Sequence, residues 1–391
     1  MCTRSGNLRF FALVLGLAVY AYPQQIEREF GWSLTVDPAK IKKEERRAAA
    51  AGPNGSDPGE IRVDTDLVLS DLLVQDRNGA PVTGLKVSDF EINEDGTPQT
   101  IDIFANGDSS IPRSIILVID HSLSQLRHID TSIESAKVLV DSMRPTDRMA
   151  VVSDDVEVII DLTSDKQRLK EALEGLRIKC KGGKFGKSSQ YSALFATLNE
   201  KISRNGTRNI VIFQTDGDEL SLLRSKHSNG LTNFGLEDIA SAAERKGVTV
   251  YTVFTGSRLA GRTKGERIEH IRHAIDAQIR AFAVASGKPP PMNQSSLSKD
   301  YILSRAERTL AEEKAVASVA EATGGIAQSL ESPDQAFAVY DRILSDIGHR
   351  YLIGYYPPER STTAARERKV LITLKNKANY RVIGGRTYVI Y

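Results

Sequence analysis

Residues 114–124 read SIILVIDHSLS. Five apolar residues, at 115–119, form an unbroken run, and polar residues begin directly after it at Asp120. An apolar run of this kind is typical of a strand that is buried on both faces of a parallel sheet. Open α/β sheets bind ligands beyond the carboxyl ends of their strands. The stretch therefore predicts a central strand with a binding loop directly after it.

Helical and strand patterns alternate downstream of this strand. The first helix has one apolar stripe, made of Ile129, Ile133, Ala136, Val140 and Met143. Further strands are predicted at 148–152, 156–162, 210–213 and 248–254, and further helices at 169–176, 191–202, 236–246, 311–322 and 333–347. This alternation predicts an α/β fold with a doubly wound, mostly parallel, Rossmann-like sheet flanked by helices.

Two β-rich segments flank the α/β part. Residues 61–107 alternate in hydropathy and contain the turn signals Asn78-Gly79 and Asp95-Gly96. Strands are also predicted at 351–355, 370–374 and 380–390. Segments of this size rarely hold a stable core alone without disulfides or a metal. We therefore expect the N-terminal and C-terminal strands to pack together as one accessory β-sandwich.

The composition is that of an ordinary globular protein with almost balanced charge. Lys and Arg total 52 against 50 Asp and Glu, which gives a formal net charge of +2. This balance offers no electrostatic case for nucleic acid or an anionic membrane as the partner. The sequence leaves the oligomeric state unknown.

The first 21 residues have the pattern of a secretory signal peptide. Arg4 and Arg9 precede an apolar run at 10–21, which ends with small residues around Ala21. The run is shorter than the about 20 residues of a membrane span, although an uncleaved anchor is the alternative. We expect a secreted, periplasmic or cell-surface protein with no integral membrane span after cleavage of the signal.

Other side chains with reactive chemistry are expected to be structural. One cysteine falls within the predicted signal peptide, which leaves Cys180 without an intramolecular disulfide partner and favours a semi-buried structural thiol. His270 and His273 could face a metal from one helix, but an exposed basic helix is the favoured interpretation. They belong to a basic segment at 256–298 that departs from the α/β pattern and is either a docking surface or a solvated face.

Hydroxyl and carboxylate side chains occur in three segments that the predicted sheet would bring to one edge. They are Asp120, Ser122 and Ser124 after the first buried strand, Ser188 just before a helix, and Asp216 after the strand at 210–213. Such a set, with no thiolate or imidazole, suits a hard divalent cation. The expected cofactor is Mg²⁺, and the sequence does not distinguish it from Mn²⁺ or Ca²⁺.

The motif Asp120-x-Ser122-x-Ser124 resembles the DxSxS motif of von Willebrand factor type A domains. The resemblance covers about residues 112–329 and implies a metal-ion-dependent adhesion site. It implies that Ser122 and Ser124 bind the metal directly and that Asp120 acts mainly through water. Ser188 aligns with the family's second-loop threonine, and Asp216 matches the aspartate of its TDG turn.

Three features depart from that family pattern. His121 stands inside the motif, serine replaces threonine at Ser188, and several lysines crowd the second loop. Nearby positive charge opposes a bound cation but favours an acidic partner. A degenerate site without metal is therefore the alternative.

A wider resemblance, over about residues 60–391, is to the VWFA-related family abundant in acidobacteria. It is carried by residues 76–85, 89–96, 321–325 and 351–357. The predicted organisation is a signal peptide at 1–21, a linker at 22–60, a sandwich β segment at 61–107, a type A domain at 108–330 with the basic insert at 256–298, and a helix with C-terminal strands at 331–391.

These features predict a binding module rather than an enzyme. The expected partner is a protein with an exposed Asp or Glu, whose carboxylate would complete the coordination of the metal. One alternative is a metal-free structural scaffold in an envelope assembly. A more remote alternative is a Mg²⁺-dependent hydrolase that uses Asp216 or His121.

Overall fold

The computed structural model describes residues 67–107, 111–186, 188–202, 207–217, 234–256, 258–287, 298–357, 367–375, 379–384 and 386–390. The predicted signal peptide at 1–21 and the predicted linker at 22–60 lie outside the described residues, so both stay predictions. Among the described helices, none has the combination of length and apolar character that crossing a bilayer requires.

The strands of the described chain are β1 (Val68–Gln75), β2 (Phe90–Glu94), β3 (Thr97–Gln99), β4 (Ile103–Ala105), β5 (Arg113–Ile119), β6 (Arg148–Ser153), β7 (Val158–Thr163), β8 (Arg208–Thr215), β9 (Thr249–Thr255), β10 (Ala327–Leu330), β11 (Tyr351–Tyr355), β12 (Glu367–Leu374), β13 (Arg381–Ile383) and β14 (Arg386–Ile390). The helices are α1 (Ile129–Asp141), α2 (Lys166–Lys181), α3 (Gln190–Glu200), α4 (Leu236–Lys246), α5 (Lys264–Ser286), α6 (Lys299–Ala322) and α7 (Ala336–Gly348). Short 3₁₀ helices lie at Val87–Asp89, Leu123–Arg127 and Pro333–Gln335.

A six-stranded sheet in the order β10-β9-β8-β5-β6-β7 forms the centre of the α/β part. Strand β5 pairs in parallel with β6 and β8, and β9 pairs in parallel with β8 and β10, whereas β7 is antiparallel to β6. The connection from β6 to β7 is too short for the crossover that a parallel strand needs, so β7 turns back as a hairpin. The predicted doubly wound, mostly parallel sheet is confirmed.

Both faces of this sheet are covered by helices. Strand β5 is buried over its whole length. Its successive residues point to opposite faces of the sheet, so that Ile116 contributes to one apolar core and Leu117 to the other. One core includes residues of α3, α4 and α6, and the other includes residues of α1, α2 and α7. The predicted stripe of α1 is buried in the second core, which explains its helical spacing.

The remaining strands form a β-sandwich from both ends of the described chain. One sheet has the order β13-β1-β11-β4 and the other the order β14-β12-β2-β3. N-terminal and C-terminal strands pair directly, as in Val68↔Tyr355 and Glu94↔Val370. Their inner faces share one apolar core, in which the rings of Phe90 and Tyr351 lie 5.2 Å apart. The predicted accessory sandwich is confirmed.

Buried charges join the sandwich to the α/β part. Arg350 is fully buried between α7 and β11. Its Nη1 donates to Gly324 O at 2.7 Å and its Nη2 donates to Asp71 O, in β1, at 3.2 Å. Its guanidinium also lies 3.4 Å from the carboxylates of Asp71 and Asp346. Arg350 therefore contacts the β-sandwich, through Asp71, and the α/β part, through Gly324 and Asp346.

Helix α5 accounts for most of the described residues in the region predicted as a basic insert at 256–298, and α6 begins directly after that region. The two helices pack together through a small apolar cluster that includes Leu259, Ile271 and Ile302. Helix α6 begins at residue 299, twelve positions before the predicted start at 311. The buried apolar residues of its first half belong to this cluster and not to the cores beside the central sheet, so the predicted helix missed them. Residues 288–297 lie outside the described part of the chain.

Candidate metal centre

The carboxyl ends of three central strands lie level with one another. The registers Ile119↔Ser153 and Ile119↔Gln214 align the ends of β5, β6 and β8. Asp120 follows β5 and Asp216 follows β8 at this edge. A second loop, which precedes α3, reaches the same edge through a parallel bridge between Ser122 and Gly186. The fold thus brings the three predicted segments together.

The first loop forms a compact polar turn. Asp120 is buried, and its Oδ1 accepts a hydrogen bond from the backbone N–H of Ser122 at 2.8 Å. The hydroxyls of Ser122 and Ser124 are 2.9 Å apart. The other carboxylate oxygen of Asp120, Oδ2, is buried and has no hydrogen-bond partner among the described residues. A carboxylate oxygen and two hydroxyls are therefore grouped in one short turn.

The second loop holds Ser188 in an uncommon conformation. Ser188 is buried and has a φ of +56°, in the left-handed region that residues other than glycine seldom occupy. Its backbone N–H donates to Asp154 Oδ2 at 2.8 Å. The N–H of Gly186 donates to His121 O at 3.2 Å, which ties this loop to the first.

The third loop is connected to the second by side chains. Thr215 Oγ1 accepts from the N–H of Gly217 at 2.8 Å and is hydrogen-bonded to Gln190 Oε1. Gln190 Nε2 in turn lies 3.5 Å from Ser188 Oγ. Asp216, between Thr215 and Gly217, is half-buried. The sequence did not single out Thr215 or Gln190, whose roles depend on contacts between separate loops.

The carboxylates of the site repel one another. Burial, together with the negative charges of Asp216 and Asp154, raises the pKa of Asp120 well above its ordinary value. A proton or a cation would relieve this repulsion. The electrostatics of the loops therefore favour a positive ligand at this edge.

His121 and Asp154 form a buried ion pair that the sequence analysis did not predict. Burial opposes the charged form of His121, but the adjacent carboxylate of Asp154 outweighs burial and raises the pKa of the imidazole. Burial likewise opposes ionisation of Asp154, but the charge and hydrogen bonds of His121 lower its pKa overall. The imidazolium therefore neutralises Asp154 and leaves this residue with no net charge to add to the site. The signal for Asp154 was its position directly after β6.

The side chains at this edge fit a hard divalent cation. No three His, Cys, Asp or Glu side chains are grouped to hold a metal anywhere in the described ranges. The donors at the site are instead hydroxyls of Ser122, Ser124 and Ser188 with carboxylates of Asp120 and Asp216, a set that suits Mg²⁺, Mn²⁺ or Ca²⁺. The buried Oδ2 of Asp120, which has no hydrogen-bond partner among the described residues, is consistent with a positively charged ligand.

The lysines near the second loop are partly paired. Lys181 lies 2.7 Å from Asp130, and Lys179 lies 4.0 Å from Glu157. Between them, Cys180 is fully buried, and burial raises the pKa of its thiol to about 12. A structural thiol was predicted, and the sulfur is more deeply buried than the semi-buried environment that the sequence suggested.

Helix α5 packs against the helical turn that follows the first loop. His128, at the end of this turn, is partly buried, and burial with nearby positive charges lowers its pKa to about 4. Burial and neighbouring arginines also lower the pKa of His270 on α5. His270 is half-buried and His273 is exposed, so the exposed helix predicted for them is only half right.

A protein-family comparison supports the domain type that the motif around Asp120 resembles. The family model for the von Willebrand factor type A domain matches residues 115–219. No curated protein matches the sequence.

Several solved structures resemble this chain. One is BatB from Bacteroides thetaiotaomicron, with 17% identity, a TM-score of 0.36, and coverage of 61% of this chain and 98% of that one. Another is proximal thread matrix protein 1 from the mussel byssus, with a zinc-occupied MIDAS motif, 15% identity, a TM-score of 0.35, and coverage of 61% and 48%. A third is the pilus adhesin SpaC from Lactobacillus rhamnosus GG, with 11% identity, a TM-score of 0.37, and coverage of 78% and 48%. This chain spans about half the length of the last two proteins.

Proposed function

We propose that the von Willebrand factor type A domain carried by this chain is a binding module that takes a divalent cation and, through it, an acidic residue of a protein partner. The observation that carries this proposal is the buried Oδ2 of Asp120, which has no hydrogen-bond partner among the described residues. A buried carboxylate oxygen without a partner is costly unless a positive ligand meets it. The adjacent hydroxyls of Ser122 and Ser124 supply further oxygen donors.

The residues of the site divide into donors and charge-balancing groups. Ser122, Ser124 and Ser188 offer hydroxyls to the cation, and Asp120 and Asp216 balance its charge. The cation would supply a coordination position that a carboxylate from another protein can fill. The pair of His121 and Asp154 is neutral overall, so Asp154 adds no net negative charge to the site.

The expected partner is a protein with an exposed Asp or Glu, met outside the cytoplasm. The signal-peptide pattern at 1–21 supports this location. Lys184, close to the second loop and exposed, favours an acidic surface on the partner. Mass spectrometry of the protein from fractionated cells would test the location, since cleavage predicts a chain that begins near residue 22.

Calorimetric titration with Mg²⁺ and with Mn²⁺ tests the proposal directly. Wild-type protein is expected to bind one ion saturably, and the variant Asp120→Ala/Ser122→Ala is expected to lose this binding. The matched control is Asp141→Ala/Ser142→Ala, which makes the same two changes at the end of α1. The control should bind as the wild type does. Each titration is repeated with added acetate, whose carboxylate can stand in for that of a partner protein. This repeat detects a metal site that forms only when a partner carboxylate completes the coordination.

The outcomes separate the candidate functions. If the wild type binds neither ion, with or without acetate, the proposal is wrong and a metal-free scaffold becomes the better interpretation. If the wild type hydrolyses a substrate in a metal-dependent way, and Asp216→Ala removes that activity, a role in binding alone is wrong.

A further inference from the structure

Asp154 contacts the first and second loops of the site at the same time. Its Oδ1 accepts from the backbone N–H of His121 at 3.1 Å and pairs with the imidazole of the same residue. Its Oδ2 accepts from the N–H of Ser188 at 2.8 Å. Its own backbone N–H donates to Ile119 O, and its backbone carbonyl accepts from the N–H of Ser189, both at 3.2 Å. The side chain of Asp154 therefore bonds to both loops, and its main chain bonds to the end of β5 and to Ser189 in the second loop.

The second loop lies directly on this carboxylate. A Cβ added at Gly186 would meet both side-chain oxygens of Asp154 at 2.2 Å. No residue with a side chain fits there unless Asp154 moves. Close approach of the backbone therefore explains why glycine stands at this position.

Ser188 depends on the same contact. Its left-handed backbone is held only if the surroundings over-determine it, and its buried N–H would be left unsatisfied without Asp154. Its place relative to Ser122 is set by tertiary contacts, which include those to Asp154 and the hydrogen bond from the N–H of Gly186 to His121 O.

We propose that Asp154 is a positioning residue, which fixes the second-loop hydroxyl of Ser188 against the first-loop hydroxyls of Ser122 and Ser124. This inference rests on the proposed metal-binding function. Asp154 is assigned to the loops rather than to the metal, because its Oδ1 accepts from the backbone N–H of His121 and pairs with the imidazole, and its Oδ2 accepts from the N–H of Ser188. Groups that orient metal ligands typically change metal affinity about 10-fold to 100-fold when they are replaced.

The test compares Mn²⁺ affinity in Asp154→Asn with that in two control variants. Asp154→Asn keeps the size of the side chain but turns an N–H donor toward a backbone N–H. It is expected to weaken Mn²⁺ binding about 10-fold to 100-fold. Asp141→Asn makes the same charge change on an exposed side chain at the end of α1, and should change the affinity less than about 3-fold. Asp147→Asn removes a buried carboxylate at the opposite end of β6, so it lowers stability without changing the affinity.

Each protein is titrated well below its melting temperature, so that loss of stability alone does not alter the affinity. Gly186→Ala provides a second perturbation, because its methyl group displaces the Asp154 carboxylate without any change of charge. It is expected to weaken Mn²⁺ binding in the same direction, and it keeps the inference testable if Asp154→Asn does not fold.

Three results would overturn the assignment. Unchanged Mn²⁺ affinity in Asp154→Asn, or in Gly186→Ala if the first variant does not fold, shows that the contact does not position the donors. Complete loss of binding in Asp154→Asn, equal to that in Asp120→Ala/Ser122→Ala, makes Asp154 a ligand instead. Absence of Mn²⁺ binding by the wild type refutes the proposed function as well, whereas normal wild-type binding confines the failure to this inference.

Discussion

Replacement of Arg350 with methionine removes a fully buried guanidinium from the junction between the β-sandwich and the α/β part. The side chain of Asp71 beside it is only 2% exposed, and that of Asp346 is 11% exposed. Methionine fills much of the same volume but cannot pair with either carboxylate. The variant also leaves the carbonyl of Gly324 without the donor that lies 2.7 Å away in the wild type.

The expected loss of stability follows from the charge that stays behind. Removal of one partner of a buried ion pair typically costs about 3–5 kcal/mol. Here Arg208 remains 3.7 Å from the same oxygen of Asp71, so the lower end, about 3 kcal/mol, is expected. With a urea dependence of about 3 kcal/mol per molar, the unfolding midpoint should fall by about 1 M.

Urea unfolding, followed by circular dichroism, measures this change. The double variant Asp71→Asn/Arg350→Met should be more stable than the sum of the two single changes predicts, because the asparagine removes the unpaired charge. Arg342→Met, at an exposed position of the same helix, is the control and should stay within about 0.5 kcal/mol of the wild type. A loss below about 1 kcal/mol for Arg350→Met, or strictly additive effects in the cycle, would refute the reasoning.

Three further predictions concern stability and reactivity. Burial opposes ionisation of Asp147, but hydrogen bonds from Arg113 and Arg144 outweigh it and lower its pKa, so its contribution is present above about pH 4 and is lost as the pH falls through the lowered pKa. Asp147→Asn should therefore lose about 2 kcal/mol in urea unfolding at pH 6, and the difference should shrink below pH 4; a constant difference would contradict this. Cys180 should react with a thiol reagent many times faster in urea than in the native protein, and equal rates would mean that the sulfur is accessible. A chain ending at residue 330 loses β11 and β12, the partners of β1 and β2, so it should lack a sharp cooperative melt; unchanged stability would show that the sandwich is dispensable.

Several features could be predicted because they depend on local pattern. The apolar run of β5 indicated burial on both faces, and the spacing of the α1 stripe indicated a helix. The positions of Asp120 and Asp216 after buried strands indicated a common edge. In each case the prediction came from the spacing of apolar residues, or from the position at which an apolar run ends and polar residues begin. The metal itself stays a proposal.

Other features could not be predicted because they depend on pairs that are distant in the chain. His121 counted against a cation as long as its partner was unknown, and its meaning changes once Asp154 neutralises it. The early start of α6 escaped prediction because its apolar contacts are made with α5 rather than with the central sheet. Arg350 lies between the predicted helix at 333–347 and the predicted strand at 351–355, and the sequence gives no local sign that it is completely buried.

The sequence by itself determined the fold class, the central strand and the loop positions of the candidate donors, because backbone geometry converts hydropathy period directly into helices and strands. Only the tertiary structure decided which charges are neutralised, which loops Asp154 joins and how Arg350 connects the β-sandwich to the α/β part. These outcomes depend on strand register and on burial, which place groups tens to hundreds of residues apart within hydrogen-bond distance and alter the energy of every charge among them.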